Sequence, residues 1–477
     1  MAAERKSAWT SQLGFVLASA GSAVGLGNIW RFPYQAANGG GGLFLVMYIA
    51  LACTVGFSLL ATEISIGRKT GKSPIGAFRQ LSSDTGKKVG LFGYLGYIVP
   101  FIIYSYYVVI GGWVTWYLME FLTFHSAETT NPETLGFFSK FITHPFAPIF
   151  YTIVYSLISS FIVYKGVEEG IEKFSKYIMP LLFLLVVFIS LFAIFLKSPD
   201  KTRTGLDGLK IYLIPSFKGV TFGSFLNICM SAVSQLFYSL SIAMGIMITY
   251  GSYAKKDVNL EKSIGQIAFF DTFVAFFAGL MIIPSVYVFM GREGLSSAGP
   301  GLIFVTLPKV FEAMGNFGSV IGVLFFFLVL FAALTSSVSL LETIVSDTMS
   351  EKKAERKKTT ISVSLIEFAL SLLVCLGYTC FYFEIKLPTG DIGQILDVFD
   401  YITNNFMMPI LAIATSVFVG WIIKPDWVVE EMKQLNSPFK KEKMYRVLIK
   451  YVIPVLMLIL FLNSNGIFRM IGNLFSK

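Results

Sequence analysis

Runs of about 20 apolar residues, separated by short charged loops, recur along the whole chain. Their length predicts membrane-spanning helices rather than the roughly ten-residue alternating strands of an outer-membrane barrel. Eleven runs can be read, at 11–36, 42–67, 90–124, 146–164, 174–196 and 220–251, then 263–290, 316–349, 360–383, 393–423 and 446–470. The predicted fold class is an all-α integral membrane protein with eleven spans. Two runs are unlike ordinary spans. The first carries Gly21-Ser22-Ala23-Val24-Gly25-Leu26-Gly27-Asn28 at mid-depth, where three glycines and an Asn favour backbone that leaves the helix. The sixth carries Ser239-Leu240-Ser241-Ile242-Ala243-Met244-Gly245 at similar depth, a weaker signal with a single glycine.

Spans one and six occupy matching places in two five-span halves, the pattern of an inverted repeat with a binding site between the broken helices. The organisation expected is a tail at 1–10, a first repeat at 11–196, an outer loop at 197–219 and a second repeat at 220–423. An inner loop at 424–445 and an added eleventh span at 446–477 complete it. With the N-terminus inside, about two-thirds of the 38 Lys and Arg fall in inner loops, so the positive-inside rule supports N-in and an outer C-terminus. Residues 1–20 contain Ala18-Ser19-Ala20, which resembles a signal-peptide cleavage site. Ser11-Gln12 leaves too short an apolar core before it, and the stretch reads as span one.

Composition agrees: 55% of residues are hydrophobic and only 14% charged, too few to cover a water-exposed fold. The net charge of +9 follows from the inner loops and does not point to nucleic acid. Cys53, Cys229, Cys375 and Cys380 lie in apolar runs, as small hydrophobes do, and suggest no disulfide framework. His125 and His144 stand away from any carboxylate cluster, against a metal-dependent enzyme, and no phosphate-binding loop for ATP is present.

Unwinding a helix in a bilayer frees N–H and C=O groups that need partners. Helix N-termini suit a carboxylate and freed carbonyls suit cations, so one break can hold a ligand bearing both carboxylate and amine. Gly25 and Gly27 allow close approach to the backbone; Gly21 and Gly25 also fit a small-xxx-small packing motif. In span eight, Thr335-Ser336-Ser337 offers hard oxygens for Na+, or hydroxyls that simply bond the preceding turn. Among intramembrane charges, Asp271 is the candidate ion ligand, Glu63 and Glu342 candidates to satisfy the broken backbone, and Arg31 with Asp397 and Asp400 a candidate outer gate.

With Ala20 through Pro33, Asn38-Gly39-Gly40-Gly41, Gln235 through Ser241 and Leu334-Thr335-Ser336-Ser337 on the page, the chain resembles the neurotransmitter:sodium symporters, in the bacterial amino-acid branch with the LeuT fold. The resemblance implies import of an L-amino acid with two Na+ ions. One ion would be held by Ala23, Asn28, Ser239 and Asp271, the other by Gly21, Val24, Ala332, Thr335 and Ser336. The substrate would lie against Ala23, Gly25, Leu26, Gly27, Ile103, Tyr107, Tyr238, Ser239, Ser241, Met244, Ser336 and Leu340. Arg31 with Asp400 resembles the outer gate, and Lys6 with Trp9 the inner one, its acidic partner left open among Asp347, Ser350 and Glu351.

Chloride-dependent relatives bind the anion with a Tyr, a Gln and two Ser; here Tyr48, Gln235 and Ser239 are kept and Ala275 replaces the last. Asp271 supplies a fixed negative charge instead, which implies chloride-independent transport and a carboxylate that protonates after sodium leaves. Gly170 and Pro180 resemble a family feature tied to local unwinding of span five. Gly25 in place of the Asp of monoamine carriers, and the adaptable Met244, favour neutral apolar or aromatic L-amino acids. A proton-coupled carrier and an amino-acid sensor on the same fold are the alternatives. Lipids are the surrounding partner, and a bacterial inner membrane is the expected location.

Overall fold

The computed structural model describes residues 8–123, 136–217, 220–296, 299–388, 390, 392–434 and 438–467. Lys6 and His125 lie outside the described residues. Within them, nine helices are long and apolar enough to cross a membrane: Gly42–Thr70, Leu91–Leu122, Ala147–Tyr164, Val167–Ile194, Leu260–Gly294, Gly318–Lys352, Arg356–Leu376, Ile395–Ile422 and Glu442–Ser464. Span one is the bent pair Gln12–Ala23 and Gly27–Asn38, at 53° to each other.

The sixth expected span is two helical pieces, Phe222–Ser239 and the seven-residue Ile246–Ser252, with six residues between them. Its break is longer than that of span one, the reverse of what glycine content suggested. Ser241 (φ 52°) and Ala243 (φ 59°) adopt the left-handed region along with Gly245 (φ 71°). A non-glycine residue pays for that conformation, so neighbours must hold it there.

Span five starts at Val167, not 174, and the reason lies in its acidic residues. Glu168, Glu169 and Glu172 read as loop, yet Glu172 is buried because it caps the start of span one. It accepts hydrogen bonds from the Thr10 backbone N–H (2.7 Å), the Thr10 hydroxyl and Ser11 Oγ (3.2 Å), and pairs with Lys176 at 2.8 Å. Gly170 is needed nearby, since a Cβ there would sit 2.0 Å from the Ile162 carbonyl oxygen. Span nine ends at Leu376, before Gly377, short of the expected 383.

Span three is the enclosed centre of the bundle, with 83% of its apolar window buried; the last span, with 22%, is peripheral. Outside the membrane segments, the described residues include a short antiparallel pair, Ile385–Lys386 with Ile392–Gly393, between spans nine and ten. The four cysteines are free. Cys375 is buried as a small hydrophobe should be, whereas Cys53 and Cys380 are exposed and Cys229 is half-buried.

Glu63 and Glu342 part company. Glu63 Oε1 accepts the Ala243 N–H at 2.8 Å, so a carboxylate from span two satisfies the broken backbone of span six. Glu342 does not reach a break. It receives two hydrogen bonds from Arg356 (2.6 and 2.7 Å) and one from the Tyr253 hydroxyl (2.6 Å), a buried ion pair between spans eight and nine. The sequence could not separate these roles because Arg356 is fourteen positions away, in the following span. Replacing Glu63 by Ala leaves the Ala243 N–H without an acceptor and is expected to cost about 1–3 kcal/mol of stability. Glu63→Gln, which keeps an acceptor oxygen, should cost less; thermal unfolding in detergent compares the two.

Candidate functional site

The break in span one begins where Val24 turns to an extended conformation (ψ 100°) after its N–H bonds to the Ala20 carbonyl. Asn28 then closes the gap: its Oδ1 accepts the Gly25 N–H at 3.0 Å, and its own N–H reaches the Gly25 carbonyl at 3.2 Å. The glycines serve closeness rather than unusual dihedral angles, for neither Gly25 nor Gly27 has positive φ. A Cβ on Gly25 would lie 2.6 Å from Ser336 Oγ, and one on Gly27 would lie 2.4 Å from the Tyr238 ring. Gly21 packs against Met179 and Thr335, so the packing reading of Gly21-x-x-x-Gly25 holds for its first member.

Between the two breaks lies a cavity lined by Ala23, Gly25, Leu26, Gly27, Ile103, Tyr107, Tyr238, Ser241, Met244, Ser336 and Leu340. All were expected from the sequence. Ser239, the remaining expected contact, does not line it and joins the Asp271 cluster instead. Two further residues do line it, Ser22 and Ile246. Ser22 carried a signal of its own, a hydroxyl between glycines in an apolar run. Its carbonyl accepts from Ser241 Oγ (2.9 Å) and Ser336 Oγ (3.2 Å), and its hydroxyl shares a 2.7 Å bond with Ser339. The cavity has a volume of only about 30 Å³, so its walls are nearly closed on one another. None of the lining residues is charged.

On one flank, Asn28, Ser239 and Asp271 converge. Asn28 Nδ2 donates to Ser239 Oγ (2.9 Å) and Asp271 Oδ1 (2.8 Å), and Ser239 Oγ donates to the same Oδ1 at 2.6 Å. Tyr48 donates to the other oxygen, Oδ2, at 2.7 Å. Asp271 is fully buried, and its charge is met by these three donors rather than by a cation side chain. Turning the Asn28 amide over would present an oxygen beside the carboxylate and the Ser239 hydroxyl, a hard-oxygen set suited to a small monovalent cation. Ala23, the fourth residue expected for this ion, lines the cavity wall.

On the other flank, Thr335 Oγ1 lies 3.0 Å from the Ala332 carbonyl and 3.5 Å from that of Val24, while Ser336 Oγ lies 3.4 Å from the Val24 carbonyl. Carbonyl oxygens of Ser22 and Val24, at the N-terminal side of the span-one break, thus meet the span-eight hydroxyls, with Gly21 against Thr335. The hydroxyls do bond the preceding turn, as the simpler reading supposed, since Thr335 also donates to Phe331 at 3.1 Å. Ser336 belongs to both this set and the cavity.

The expected gates look different in detail. Arg31 and Asp400 do not form an ion pair in this conformation. Arg31 donates to Ser234 Oγ at 2.7 Å and lies over the Tyr238 ring at 5.3 Å, while Asp400 accepts from Tyr106 (3.1 Å) and Asn404 (2.6 Å). Tyr238 therefore roofs the cavity with Arg31 above it. Asp397 caps its own helix by accepting the Gln394 N–H. On the N-terminal side, Trp9 is buried and tied to the second half of span six, donating to the Tyr250 and Tyr253 carbonyls at 2.9 and 3.1 Å. Asp347 accepts the Ile75 N–H at the start of the helix Pro74–Thr85, and Glu351 pairs with Arg79 at 2.6 Å.

Tyr48 and Ser239 both donate to the Asp271 carboxylate. Gln235 donates to the Gly27 carbonyl at 3.0 Å, and Ala275 is buried nearby on the helix of Asp271.

The sequence model of the "Sodium:neurotransmitter symporter family" matches residues 6–133 and 141–472. An uncharacterized sodium-dependent transporter of Bacillus subtilis, YhdH, is 31% identical over 98% of this chain and 99% of its own. The sodium- and chloride-dependent GABA transporter 2 of Rattus norvegicus is 25% identical over 87% of this chain and 72% of its own. A crystal structure of MhsT in complex with L-phenylalanine superposes with a TM-score of 0.82 at 33% identity, over 96% of this chain and 99% of that one.

Removing the Tyr48 hydroxyl leaves a buried carboxylate oxygen without its donor. Tyr48→Phe is expected to lower stability by roughly 1.5–3 kcal/mol. Tyr104→Phe, which breaks a 2.8 Å bond to the neutral Ser159, should lower it by about half as much. Parallel melting curves of the two variants check the ranking.

Proposed function

We propose, because this chain belongs to the Sodium:neurotransmitter symporter family, that it is a sodium-coupled symporter importing neutral apolar or aromatic L-amino acids by alternating access. It is a transporter and not an enzyme, and sodium dependence comes with the family. The observation that carries the finer reading is the uncharged cavity between the two broken spans, with an oxygen cluster on each flank. In this reading the substrate carboxylate lies at the break of span one, where freed N–H groups and the Tyr107 hydroxyl converge; Tyr107 already stands 3.5 Å from the Leu26 N–H. The amine faces the freed carbonyls, and the side chain lies among Ile103, Met244, Ile246 and Leu340.

Absence of a charged lining residue disfavours acidic and basic side chains, whose burial without a partner is costly. The phenylalanine bound by MhsT supports an amino acid of this class. Since the walls are nearly closed, a bulky side chain requires Met244 to change rotamer, which an unbranched thioether does readily.

Two Na+ ions are cotransported in this reading. One is bound by Ala23, Asn28, Ser239, Asp271 and the substrate carboxylate; the other by Gly21, Val24, Ala332, Thr335 and Ser336. Transport is independent of chloride in this reading, because the Asp271 carboxylate is bound by Tyr48 and Ser239, two of the residue types that surround the anion in chloride-dependent relatives. Two five-span repeats move relative to one another in a bacterial inner membrane, with the N-terminus inside and the C-terminus outside. Arg31 and Asp400 close the outer side around Tyr238, and Trp9 with Lys6 closes the inner side.

The test is uptake of labelled Phe, Trp, Leu, Gly and Glu into proteoliposomes. An inward Na+ gradient should drive accumulation of the apolar members and not of Glu, and equimolar K+ should abolish it. Accumulation driven by a proton gradient alone, or binding without accumulation, would overturn the reading. Replacing chloride by gluconate should leave uptake unchanged. Asn28→Ala and Thr335→Val should each raise the sodium concentration for half-maximal uptake about tenfold, equivalent to ~1.4 kcal/mol. Met244→Trp should reduce uptake of Phe and Trp by tenfold or more while sparing smaller substrates, in line with about 1–3 kcal/mol for overpacking.

A further inference from the structure

Two depressions on the outer face of spans four and nine run into one another. The larger, about 790 Å³, is walled by Ile153, Leu157 and Phe161 of span four and Ile361, Leu365 and Phe368 of span nine, and is almost wholly apolar. Leu157, Phe161, Ile361 and Leu365 are more than half exposed, so nothing among the described residues covers this groove. At the end nearest the N-terminal side of the membrane it shares Phe161, Ile162 and Tyr164 with a second depression, lined by Lys165, Lys173 and Lys357 against the single acid Glu169.

Most basic residues around this rim already have carboxylates. Arg356 pairs with Glu342, Lys176 with Glu172, Lys358 with Glu355, and Lys173 with Glu169 at 3.5 Å. Lys165 and Lys357 do not. Among the described residues neither has a carboxylate within 4 Å; their ammonium groups lie over the Phe161 and Tyr164 rings at 5.2 and 5.4 Å. Two unneutralised lysines thus stand where an open apolar groove reaches the edge of the membrane-spanning segments.

We propose that this composite site binds one anionic phospholipid, its acyl chain in the groove of spans four and nine and its phosphodiester on Lys165 and Lys357. An acyl chain is the occupant that an uncharged groove within the membrane accepts, and a phosphate is what a pair of free ammonium groups at its mouth attracts. A second copy of this chain is a poor occupant. A two-fold interface places the same patch on both partners and sets these lysines against their equivalents. Free phosphate would use the lysines and leave the groove without a role.

The test uses the full chain in bilayer nanodiscs of equimolar phosphatidylglycerol and phosphatidylcholine, with retained lipid read by native mass spectrometry. The wild type should retain phosphatidylglycerol over phosphatidylcholine by about thirtyfold, at ~1 kcal/mol for each of the two lysines. Lys165→Ala/Lys357→Ala should remove the preference, Lys165→Arg/Lys357→Arg should keep it, and Leu157→Trp, which fills the groove, should lower retention of both lipids. Inorganic phosphate should not displace the lipid. Equal retention of the two lipids by wild type, or an unchanged preference in the alanine pair, would overturn the proposal. So would displacement by phosphate with no effect of Leu157→Trp, or a dimer that Leu157→Trp dissociates.

Discussion

Backbone polar groups in hydrocarbon must find partners within the protein, and the rest of this structure is arranged around the two places where that requirement is hardest to meet. In span one the gap is closed largely from within, by Asn28 reaching back to the Gly25 N–H. In span six it is closed from outside by Glu63 on the Ala243 N–H, and the Ser241 hydroxyl in turn donates to the Ser22 carbonyl of span one. The two repairs interlock, since Ser22 belongs to one break and Ser241 to the other. Ser336 of span eight joins them, touching the Ser22 and Val24 carbonyls while lining the cavity. A ligand in the cavity and an ion beside Thr335 would therefore bear on the same hydroxyl.

The enclosing bundle was legible in the sequence because hydropathy is a coarse signal that burial does not alter. Nine of the expected spans appear as helices within several residues of their expected limits. Where ends moved, a side-chain partner far along the chain was responsible, as with Glu172 drawn inward by Thr10. The break of span six was underestimated because Ser241 and Ala243, residues that seldom take positive φ, are held there by contacts from other spans. No local property of Ser-Ile-Ala announces this.

Within the site, residues whose role is steric or chemical by type were legible: Gly25 and Gly27 for closeness, Asp271 for a buried charge, and the uncharged wall of the cavity. Residues whose role depends on which neighbour they face were not. Glu63 and Glu342 look alike in sequence, yet one holds a backbone N–H and the other an arginine. Arg31 and Asp400 have complementary charge at similar depth, but Ser234 accepts from the one and Asn404 donates to the other, and no ion pair joins them.

The partners that hold the span-six break also impose an order on assembly. Glu63 and Ser22 both precede residue 240 by well over a hundred positions, so they leave the ribosome long before the segment they stabilise. A chain that grows from its N-terminus thus has the acceptors waiting in the membrane when Ser241 and Ala243 arrive. Rearranged so that span six came first, the same helices would expose an unpaired turn to lipid for as long as synthesis of the remaining spans lasted.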